Sequence, residues 1–319
     1  MSVEKEIRRI QSPKGILVPL VQNFLTNSPC TIESAEDVKF LAGLQALMAA
    51  RENARQEDGL GYYSPSSLGE HCLRKAYLQR HAKRNPHGPP SPHGMMAHYY
   101  FLTGNFIHIK WQFALYKMEK YIANSAIFRV HGYEIPVASK HGDHRGTIDN
   151  IVFIREEPFV LDWKGLNFFS AKKVALGNVP VEYRTQVADY LLLWNSQKGA
   201  PFRIERALLV VEDKGGGENF LQEAVITLAE DGARARRRLK KLRAHEASGQ
   251  MPSPSCKSLK DKQFQSCQFR TICHDEVEQA GKRSTMKIRE GLARAESEPT
   301  TAERVSQILK SKNPQKARK

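Results

Sequence analysis

The sequence predicts an α/β fold in which helices pack against a mixed central sheet. Apolar segments with the alternation of strands stand on either side of a segment with the periodicity of a helix. In chain order these are strands over about 126–139, 146–154 and 159–164, a helix over 182–195 and a strand over 203–212. With 319 residues, of which 40% are hydrophobic, the chain can bury one large core with extensions, or two modest domains.

Two neighbouring strands each place acidic residues among apolar ones. Asp149 lies in the first strand, and the second carries Asp162 and Lys164. The connector over 155–158 is short enough for an antiparallel hairpin, which could bring Asp149 beside Asp162. Because successive strand side chains point to opposite faces, Asp162 and Lys164 share one face and Trp163 lies on the other. Two carboxylates and an ammonium together suit a hard divalent cation such as Mg²⁺, whereas a solvated hairpin is the alternative for these residues alone.

Helical segments flank this hairpin on both sides. The apolar segment over 103–115 carries His108 in its first turns. Downstream, Tyr183, Gln186 and Tyr190 have the i, i+3, i+7 spacing of one helix stripe. A glutamine in an otherwise apolar stripe needs hydrogen-bond partners if it is buried, which indicates that Gln186 faces a polar site.

Four short motifs, in the order G-x-x-x-H, G-x-x-D, D-x-K and Q-x-x-x-Y, follow one another over about ninety residues. Each motif is weak by itself, but the set resembles the RecB-like branch of the PD-(D/E)XK nucleases, which includes CRISPR-associated, AddB-type and Dna2-type exonucleases. The resemblance implies a restriction-endonuclease-like core over residues 64–275. The matching residues are Gly104 and His108, Gly146 and Asp149, Asp162 and Lys164, and Gln186 and Tyr190.

The resemblance implies a metal site. Asp149 and Asp162 would bind the cation, with His108 as a neutral imidazole ligand and the backbone carbonyl of Trp163 as a further ligand. Mixed nitrogen and oxygen ligation is more typical of Mn²⁺ than of Mg²⁺, so Mn²⁺ is expected to support activity at least as well.

The same resemblance implies roles for the remaining motif residues. Lys164 would orient the attacking water or stabilise charge that develops on the scissile phosphate. Gln186 and Tyr190 would line the site and help to hold the lysine or the strand end. The cation would lower the pKa of water and polarise the phosphoryl oxygen.

The five cysteines form a second pattern. Cys72 precedes the predicted core, and Cys256, Cys267 and Cys273 follow it, which resembles the iron–sulfur subgroup of the same family. In that subgroup four cysteines hold a 4Fe-4S cluster that joins the two ends of the domain. The spacing departs from the usual C-x2-C-x5-C because ten residues separate Cys256 from Cys267, so Cys256 is the weakest match. Structural Zn²⁺ and ordinary thiols are the alternatives, and Cys30 matches no motif.

Net charge favours a polyanionic partner. Forty-nine Lys and Arg against thirty-four Asp and Glu give a net charge of +15, which is typical of proteins that bind nucleic acid. The segment over 234–243 holds seven of these cations and either contacts DNA or is a solvated helix face. Tyr99, Tyr100, Phe168 and Phe169 could stack on unpaired bases, although we expect most of them in the core. The candidate DNA-binding residues are Arg234, Arg236, Arg237, Arg238, Lys240 and Lys241.

The layout predicts three regions. They are a helical N-terminal extension over 1–63, the nuclease domain over 64–275 closed by the cysteine cluster, and a basic terminal helix with a disordered tail over 276–319. Apolar runs are shorter than a membrane span, so we expect no membrane partner and a cytoplasmic protein of a bacterium or a phage-infected cell. The absence of a P-loop motif argues against a built-in ATP-driven motor.

These observations predict a metal-dependent deoxyribonuclease, an exonuclease on single-stranded DNA ends that serves replication, recombination or repair. The compact basic chain resembles phage-encoded members of the group. A structure-selective endonuclease is the nearest alternative. A non-catalytic DNA-binding subunit of a larger helicase–nuclease assembly is the other, with a replication or recombination protein as its partner.

Overall fold

A mixed sheet forms the centre of the chain in a computed structural model, which describes residues 15–28, 30–58, 61–81, 95–216 and 220–297. Within these residues five strands pair in the order β1–β2–β3–β4–β5. Only β3 and β4 are parallel; the other neighbours are antiparallel. The predicted mixed sheet is confirmed, and β5 is an addition to it. The strands are β1 (Phe128–Ala138), β2 (Arg145–Ile154), β3 (Glu157–Leu166), β4 (Arg206–Asp213) and β5 (Leu221–Thr227).

A two-residue turn joins β2 to β3. Its residues, Arg155 and Glu156, have φ values of 51° and 67°, and the strands pair from Ile154 and Glu157 onward. Two successive left-handed residues are typical of the turn whose twist matches that of a β-hairpin. The predicted antiparallel hairpin is therefore confirmed.

Helices cover both faces of this sheet. The parallel pairing of β3 with β4 requires a crossover, and the chain makes it through two helices, α6 and α7. The predicted helix over 182–195 is α7. The helices are α1 (Val18–Asn27), α2 (Ala35–Asp58), α3 (Pro65–Gly69), α4 (Leu73–Arg80), α5 (Met95–Ile122), α6 (Phe168–Ala175), α7 (Val181–Ser196), α8 (Leu228–Ser248), α9 (Lys262–Gln265) and α10 (Arg270–Ser297).

Strand alternation divides the apolar residues between two cores. Leu161 and Trp163 of β3 pack on one face with α1 and α5, whereas Val160 packs on the other face with α6 and α7. In the first core Trp163 stacks on Trp111 of α5, with ring centroids 5.4 Å apart and planes 9° from parallel. The large indole of Trp163 thus anchors β3 from the face opposite to Asp162.

A carboxylate from β5 caps helix α1. Glu223 accepts hydrogen bonds from the backbone N–H groups of Leu17 (2.8 Å), Val18 (2.7 Å) and Ile16. These groups have no partner within a helix, and the N-cap residue itself makes no side-chain hydrogen bond. Burial raises the pKa of Glu223, and the three N–H donors oppose that effect. The edge strand therefore holds the start of α1 through one side chain.

The chain divides into two compact units, residues 1–255 and 256–319. In the second unit, Phe264, Cys273 and Val277 form a small buried cluster, against which Cys256 and Leu259 pack. The predicted domain limits after residues 63 and 275 stay predictions, and residues 298–319 of the predicted tail lie outside the described part of the chain. Among the described helices, none is both long enough and apolar enough to cross a bilayer.

The substitution Gly69→Ala should destabilise the fold. A Cβ at Gly69 in α3 would lie 2.6 Å from the backbone oxygen of Glu182 in α7, and a backbone atom cannot easily move away. We expect the free energy of unfolding in urea to fall by about 1–3 kcal/mol.

The matched control is Gly43→Ala in α2, where a Cβ would have no atom within 4 Å. Because alanine favours a helix, this change should raise the free energy of unfolding by about 0.5–1 kcal/mol. Equal effects of the two substitutions would contradict the close packing of α3 on α7.

Candidate active site

Asp149 and Asp162 lie side by side where the pairing of β2 with β3 ends. The paired residues most distant from the turn are Asn150 and Leu161, and each aspartate lies one position further from the turn on its own strand. Both aspartates are buried. Asp149 Oδ2 accepts a hydrogen bond of 2.9 Å from the backbone N–H of Trp163, which ties the first carboxylate to the second strand. The structure thus brings together the two carboxylates that the sequence singled out.

Each carboxylate has one basic neighbour. Lys164 Nζ lies 2.8 Å from Asp162 Oδ2, on the strand face predicted for it. His108 of α5 approaches from the opposite side of the sheet, with Nδ1 3.2 Å from Asp149 Oδ2. The Lys164 ammonium also lies 5.8 Å from the centre of the Tyr183 ring on α7. The site therefore joins both faces of the sheet.

Helix α7 supplies Gln186 and Tyr190, which play different parts in the geometry. Gln186 Nε2 donates a hydrogen bond of 3.2 Å to Asp162 Oδ1, so the amide holds this carboxylate in place. Tyr190 packs against β2: a Cβ at Gly146 would lie 3.0 Å from Tyr190 Cε1 and 2.8 Å from Pro65 Cδ. Glycine at position 146 thus allows Tyr190 and the start of α3 to approach the strand that carries Asp149.

Burial and charge shift the pKa values of the four groups in different directions. Burial raises the pKa of Asp162, and attraction to Lys164 offsets only part of this effect. Burial also acts to raise the pKa of Asp149, but His108 and Lys164 outweigh it, and this pKa is lowered. Attraction to the carboxylates outweighs burial for His108 and Lys164, whose pKa values are raised. Asp149 therefore holds its negative charge more firmly than Asp162 does.

A third carboxylate, missed by the sequence analysis, belongs to the same cluster. Glu134 of β1 has one side-chain oxygen within 4.8 Å of ligand atoms of both His108 and Asp149. It is 5% exposed and accepts a hydrogen bond of 2.8 Å from Gln112 Nε2. The available signal was an acidic residue inside an apolar strand, which is the signal that identified Asp149.

The donor set fits a divalent cation. Carboxylate oxygens with one imidazole nitrogen suit Mg²⁺ or Mn²⁺. Two buried atoms, His108 Nδ1 and Asp162 Oδ2, make no aligned hydrogen bond among the described residues, although charged neighbours are close. His108, Glu134 and Asp149 offer ligand atoms that lie within 4.8 Å of one another, and this group does not include Asp162. The ligand roles of Asp162 and of the Trp163 carbonyl stay predictions.

A cavity of about 790 Å³ opens beside this cluster. Glu134 and Gly146 line this cavity together with three exposed cations. Neither Lys140 nor Lys198 forms an ion pair with an acid in the described part of the chain. The cavity therefore combines the Glu134 carboxylate with exposed positive charge. The three cations are Lys140, Arg145 and Lys198.

A model of the PD-(D/E)XK nuclease superfamily matches residues 109–274, just over half of the chain. The chain belongs to this superfamily. Nucleases of the superfamily use divalent metal ions, which agrees with the donor set described above. The matched stretch includes both aspartates of the site, Lys164 and Gln186, and it ends just beyond Cys273.

Comparison with solved structures found similarity at low sequence identity. The crystal structure of SSO0001 is 15% identical, with a TM-score of 0.39 over 74% of this chain and 95% of its own. An alkaline exonuclease from Laribacter hongkongensis is 14% identical, with a TM-score of 0.37 over 64% of this chain and 95% of its own. The structure of that exonuclease in complex with dAMP is also 14% identical, with a TM-score of 0.37 over 60% of this chain and 95% of its own. Comparison with curated protein sequences found no match.

Cys72 lies at the N-cap of α4 and is half-buried. Burial acts to raise the pKa of its thiol, but hydrogen bonds from Ser255 and from the backbone N–H groups of Lys75 and Arg74 outweigh burial, so the pKa is lowered. This environment favours the thiolate, which is the form that binds metals. Cys30 is half-buried against the first core, where burial raises the pKa of its thiol.

The other three cysteines lie in the second unit. Cys256 and Cys273 belong to its small apolar cluster, and Cys267 follows helix α9. The ten-residue spacer is folded: Asp261 accepts hydrogen bonds from the backbone N–H groups of Lys257 (2.6 Å) and Ser258 (3.2 Å). A longer spacer is therefore compatible with a compact turn between Cys256 and Cys267.

The basic segment over 234–243 lies on α8, and two of its arginines make internal contacts. Arg238 donates hydrogen bonds to the backbone oxygens of Leu68 (2.6 Å) and Glu70, which closes the end of α3. Arg243 pairs with Asp143 at 2.8 Å. The structure thus gives Arg238 a structural partner, whereas the other candidates are exposed. These are Arg234, Arg236, Arg237, Lys240 and Lys241.

Phe168 and Phe169, at the start of α6, are 54% and 76% exposed. The prediction that most of the four candidate aromatic residues lie in the core is wrong for these two residues. They follow the buried part of β3 in the chain and lie on the exposed side of α6. The side chains of Tyr99 and Tyr100 lie outside the described part of the chain.

Loss of the Gln186 amide should weaken metal binding. In Gln186→Ala the Asp162 carboxylate loses the donor that orients it, so we expect Mn²⁺ affinity in isothermal titration calorimetry to fall by about 10–100-fold. The control is Gln263→Ala, an exposed glutamine of the second unit, which should bind Mn²⁺ like the unmodified protein. Unchanged affinity in a folded Gln186→Ala protein would show that Gln186 does not support the site.

Proposed function

We propose that this chain is a metal-dependent deoxyribonuclease that hydrolyses phosphodiester bonds as an exonuclease on single-stranded DNA ends. The observation that carries the proposal is the pair of buried carboxylates of Asp149 and Asp162 at the open end of the β2–β3 hairpin, with the half-buried Lys164 beside Asp162 and His108 beside Asp149. Membership in the nuclease superfamily supports the same reaction class. A role in DNA replication, recombination or repair completes the proposal.

The residues have separate roles in this reaction. Asp149, Asp162 and His108, with the Trp163 carbonyl, would hold Mg²⁺ or Mn²⁺. A bound ion of this kind lowers the pKa of water and polarises the phosphoryl oxygen. Lys164 orients the attacking water or stabilises the charge that develops on the scissile phosphate.

Two residues of α7 position this machinery without touching the reacting atoms. Gln186 orients Asp162 through its side-chain amide. Tyr190 holds the start of β2 through its contact with Gly146. Both residues therefore act through the strands that carry the carboxylates.

DNA as the substrate follows from charge. The chain has a net charge of +15, and the cavity lined by Glu134 also presents Lys140, Arg145 and Lys198. Exposed cations of α8 add to this field. Such contacts neutralise phosphates without reading bases, so affinity is independent of sequence and falls steeply with salt.

The cysteine pattern supports a structural 4Fe-4S cluster held by Cys72, Cys256, Cys267 and Cys273, with Zn²⁺ as the alternative ion. Four protein ligands leave no open position for catalysis, so the role of such a cluster would be structural. The lowered pKa of the Cys72 thiol is in keeping with a metal ligand. Our proposal therefore includes membership in the iron–sulfur subgroup of the superfamily, and the resemblance to compact phage-encoded members supports a phage source.

Cleavage of end-labelled oligonucleotides tests the reaction. Single strands labelled at the 5′ or the 3′ end should shorten stepwise in Mg²⁺ or Mn²⁺, and Asp162→Ala should abolish this activity because it removes a metal ligand. The label that yields the ladder gives the polarity, and internal cuts would point to a structure-selective endonuclease. A folded, metal-loaded protein that cuts no DNA would instead be a non-catalytic subunit of a larger assembly.

Replacement of Cys267 tests the cluster separately. Cys267→Ala should lose bound iron and visible absorbance and melt at a lower temperature, while Mn²⁺ affinity at the Asp149–Asp162 site stays unchanged. Cys30→Ala is the control and should keep the iron content. Zinc in place of iron in the purified protein would select the alternative ion, and full retention of metal and melting temperature in Cys267→Ala would refute the cluster.

A further inference from the structure

Two adjacent aromatic rings project into solvent at the first turn of α6. Phe168 and Phe169 are 54% and 76% exposed, and their rings meet edge to face with centroids 5.6 Å apart. The helix start beneath them is ordered, because Asn167 Oδ1 accepts a hydrogen bond of 3.0 Å from the Ser170 N–H. Neighbouring exposed apolar side chains on a rigid element mark an interaction surface.

This aromatic pair follows directly after the strand that carries part of the candidate active site. Strand β3 carries Asp162 and Lys164, ends at Leu166, and Phe168 is four residues beyond Lys164. The opposite side of α6 is anchored, because Ala171 and Val174 are buried in the second core. The rings therefore have a fixed position at the end of the strand that holds the carboxylate and the lysine.

Two cations accompany the rings. Lys172 and Lys173 follow one helical turn later and are exposed, and Lys172 Nζ lies 6.0 Å from the centre of the Phe168 ring. Neither lysine forms an ion pair with an acid among the residues that the structure describes. Rings with lysines beside them match the alternation of bases and phosphates in an unpaired strand.

The charge and the ring faces select one occupant. A duplex keeps its bases stacked inside and offers no free faces to Phe168 and Phe169, except at a frayed end. A partner protein would have to be acidic to approach Lys172, Lys173 and a chain of net charge +15. A single strand supplies both aromatic faces and negative charge at the spacing of one nucleotide.

We propose that Phe168 and Phe169 form a stacking platform for unpaired bases of the strand that enters the active site, with Lys172 and Lys173 contacting its phosphates. The inference rests on the proposed nuclease function for its ligand and names the surface that selects single-stranded ends. Stacking is independent of base identity, so the platform accepts any sequence.

Binding in the presence of EDTA, where cleavage cannot occur, tests the platform. Fluorescence anisotropy of a labelled oligothymidylate should give about tenfold weaker affinity for Phe168→Leu and for Phe169→Leu, since each change removes one stacked base. Phe169→Trp should bind as well as the unmodified chain, because it keeps an aromatic face. Ile32→Ala, another exposed apolar position at 59%, is the control and should leave affinity unchanged.

An abasic oligonucleotide of the same length separates stacking from charge. It keeps the phosphates and lacks the bases, so the leucine variants should bind it as the unmodified protein does. Equal losses on both oligonucleotides, or leucine variants that bind oligothymidylate normally, would overturn the platform. The second outcome would leave the surface to a partner protein.

A substrate without bases separates this proposal from the nuclease function. Hydrolysis of bis(p-nitrophenyl) phosphate in Mn²⁺ should have the same kcat/KM in Phe169→Leu and in the unmodified chain. Activity on this ester with unaltered DNA binding by the variants would reject the platform and keep the nuclease. An unmodified protein that neither hydrolyses the ester nor binds DNA would reject both.

Discussion

The register of the β2–β3 hairpin is the constraint on which the rest of the structure depends. The two-residue turn at Arg155 and Glu156 leaves the strands no freedom to slide past each other. Alternation along β3 then sends Trp163 into one core and places Asp162 and Lys164 on the other face. If the register shifted by one residue, Asp162 and Lys164 would replace the Trp163 indole in the first core. Burial of these charged groups among apolar side chains would have a large cost in free energy.

The site concentrates buried charge where the two cores meet. Buried carboxylates are unfavourable unless they are paired and hydrogen-bonded, and here Lys164, His108 and Gln186 supply those partners. The arrangement leaves Asp149 and Asp162 close together, so their mutual repulsion persists in the protein alone. A divalent cation that binds only the folded chain relieves this repulsion and thereby stabilises the native state by mass action.

Local patterns were sufficient for some of this structure and not for the rest. The hairpin follows from strand alternation and a short connector, and α7 follows from its periodicity, because both signals lie within a few residues. Glu134 carries the same local signal as Asp149, but its approach to the site depends on the register of β1 against β2, which local patterns do not show. Arg238 was predicted to contact DNA because it lies in a run of positive charge. A charge run does not show that the Arg238 guanidinium donates a hydrogen bond to the backbone oxygen of Leu68 in α3. The exposure of Phe168 and Phe169 depends on where β3 leaves the sheet, which hydrophobicity alone does not encode.

The parallel pairing of β3 with β4 has a consequence for the order of synthesis. Because β3 and β4 are parallel, the chain between them must cross over, and α7 with Gln186 is part of that crossover. During synthesis the hairpin therefore leaves the ribosome first, α7 follows, and β4 leaves last. A nascent chain that ends at β3 already contains His108, Asp149 and Asp162 but lacks the helix that orients the second carboxylate and covers one face of the sheet. The complete site therefore exists only once translation has passed the crossover, and unfinished chains lack its assembled geometry.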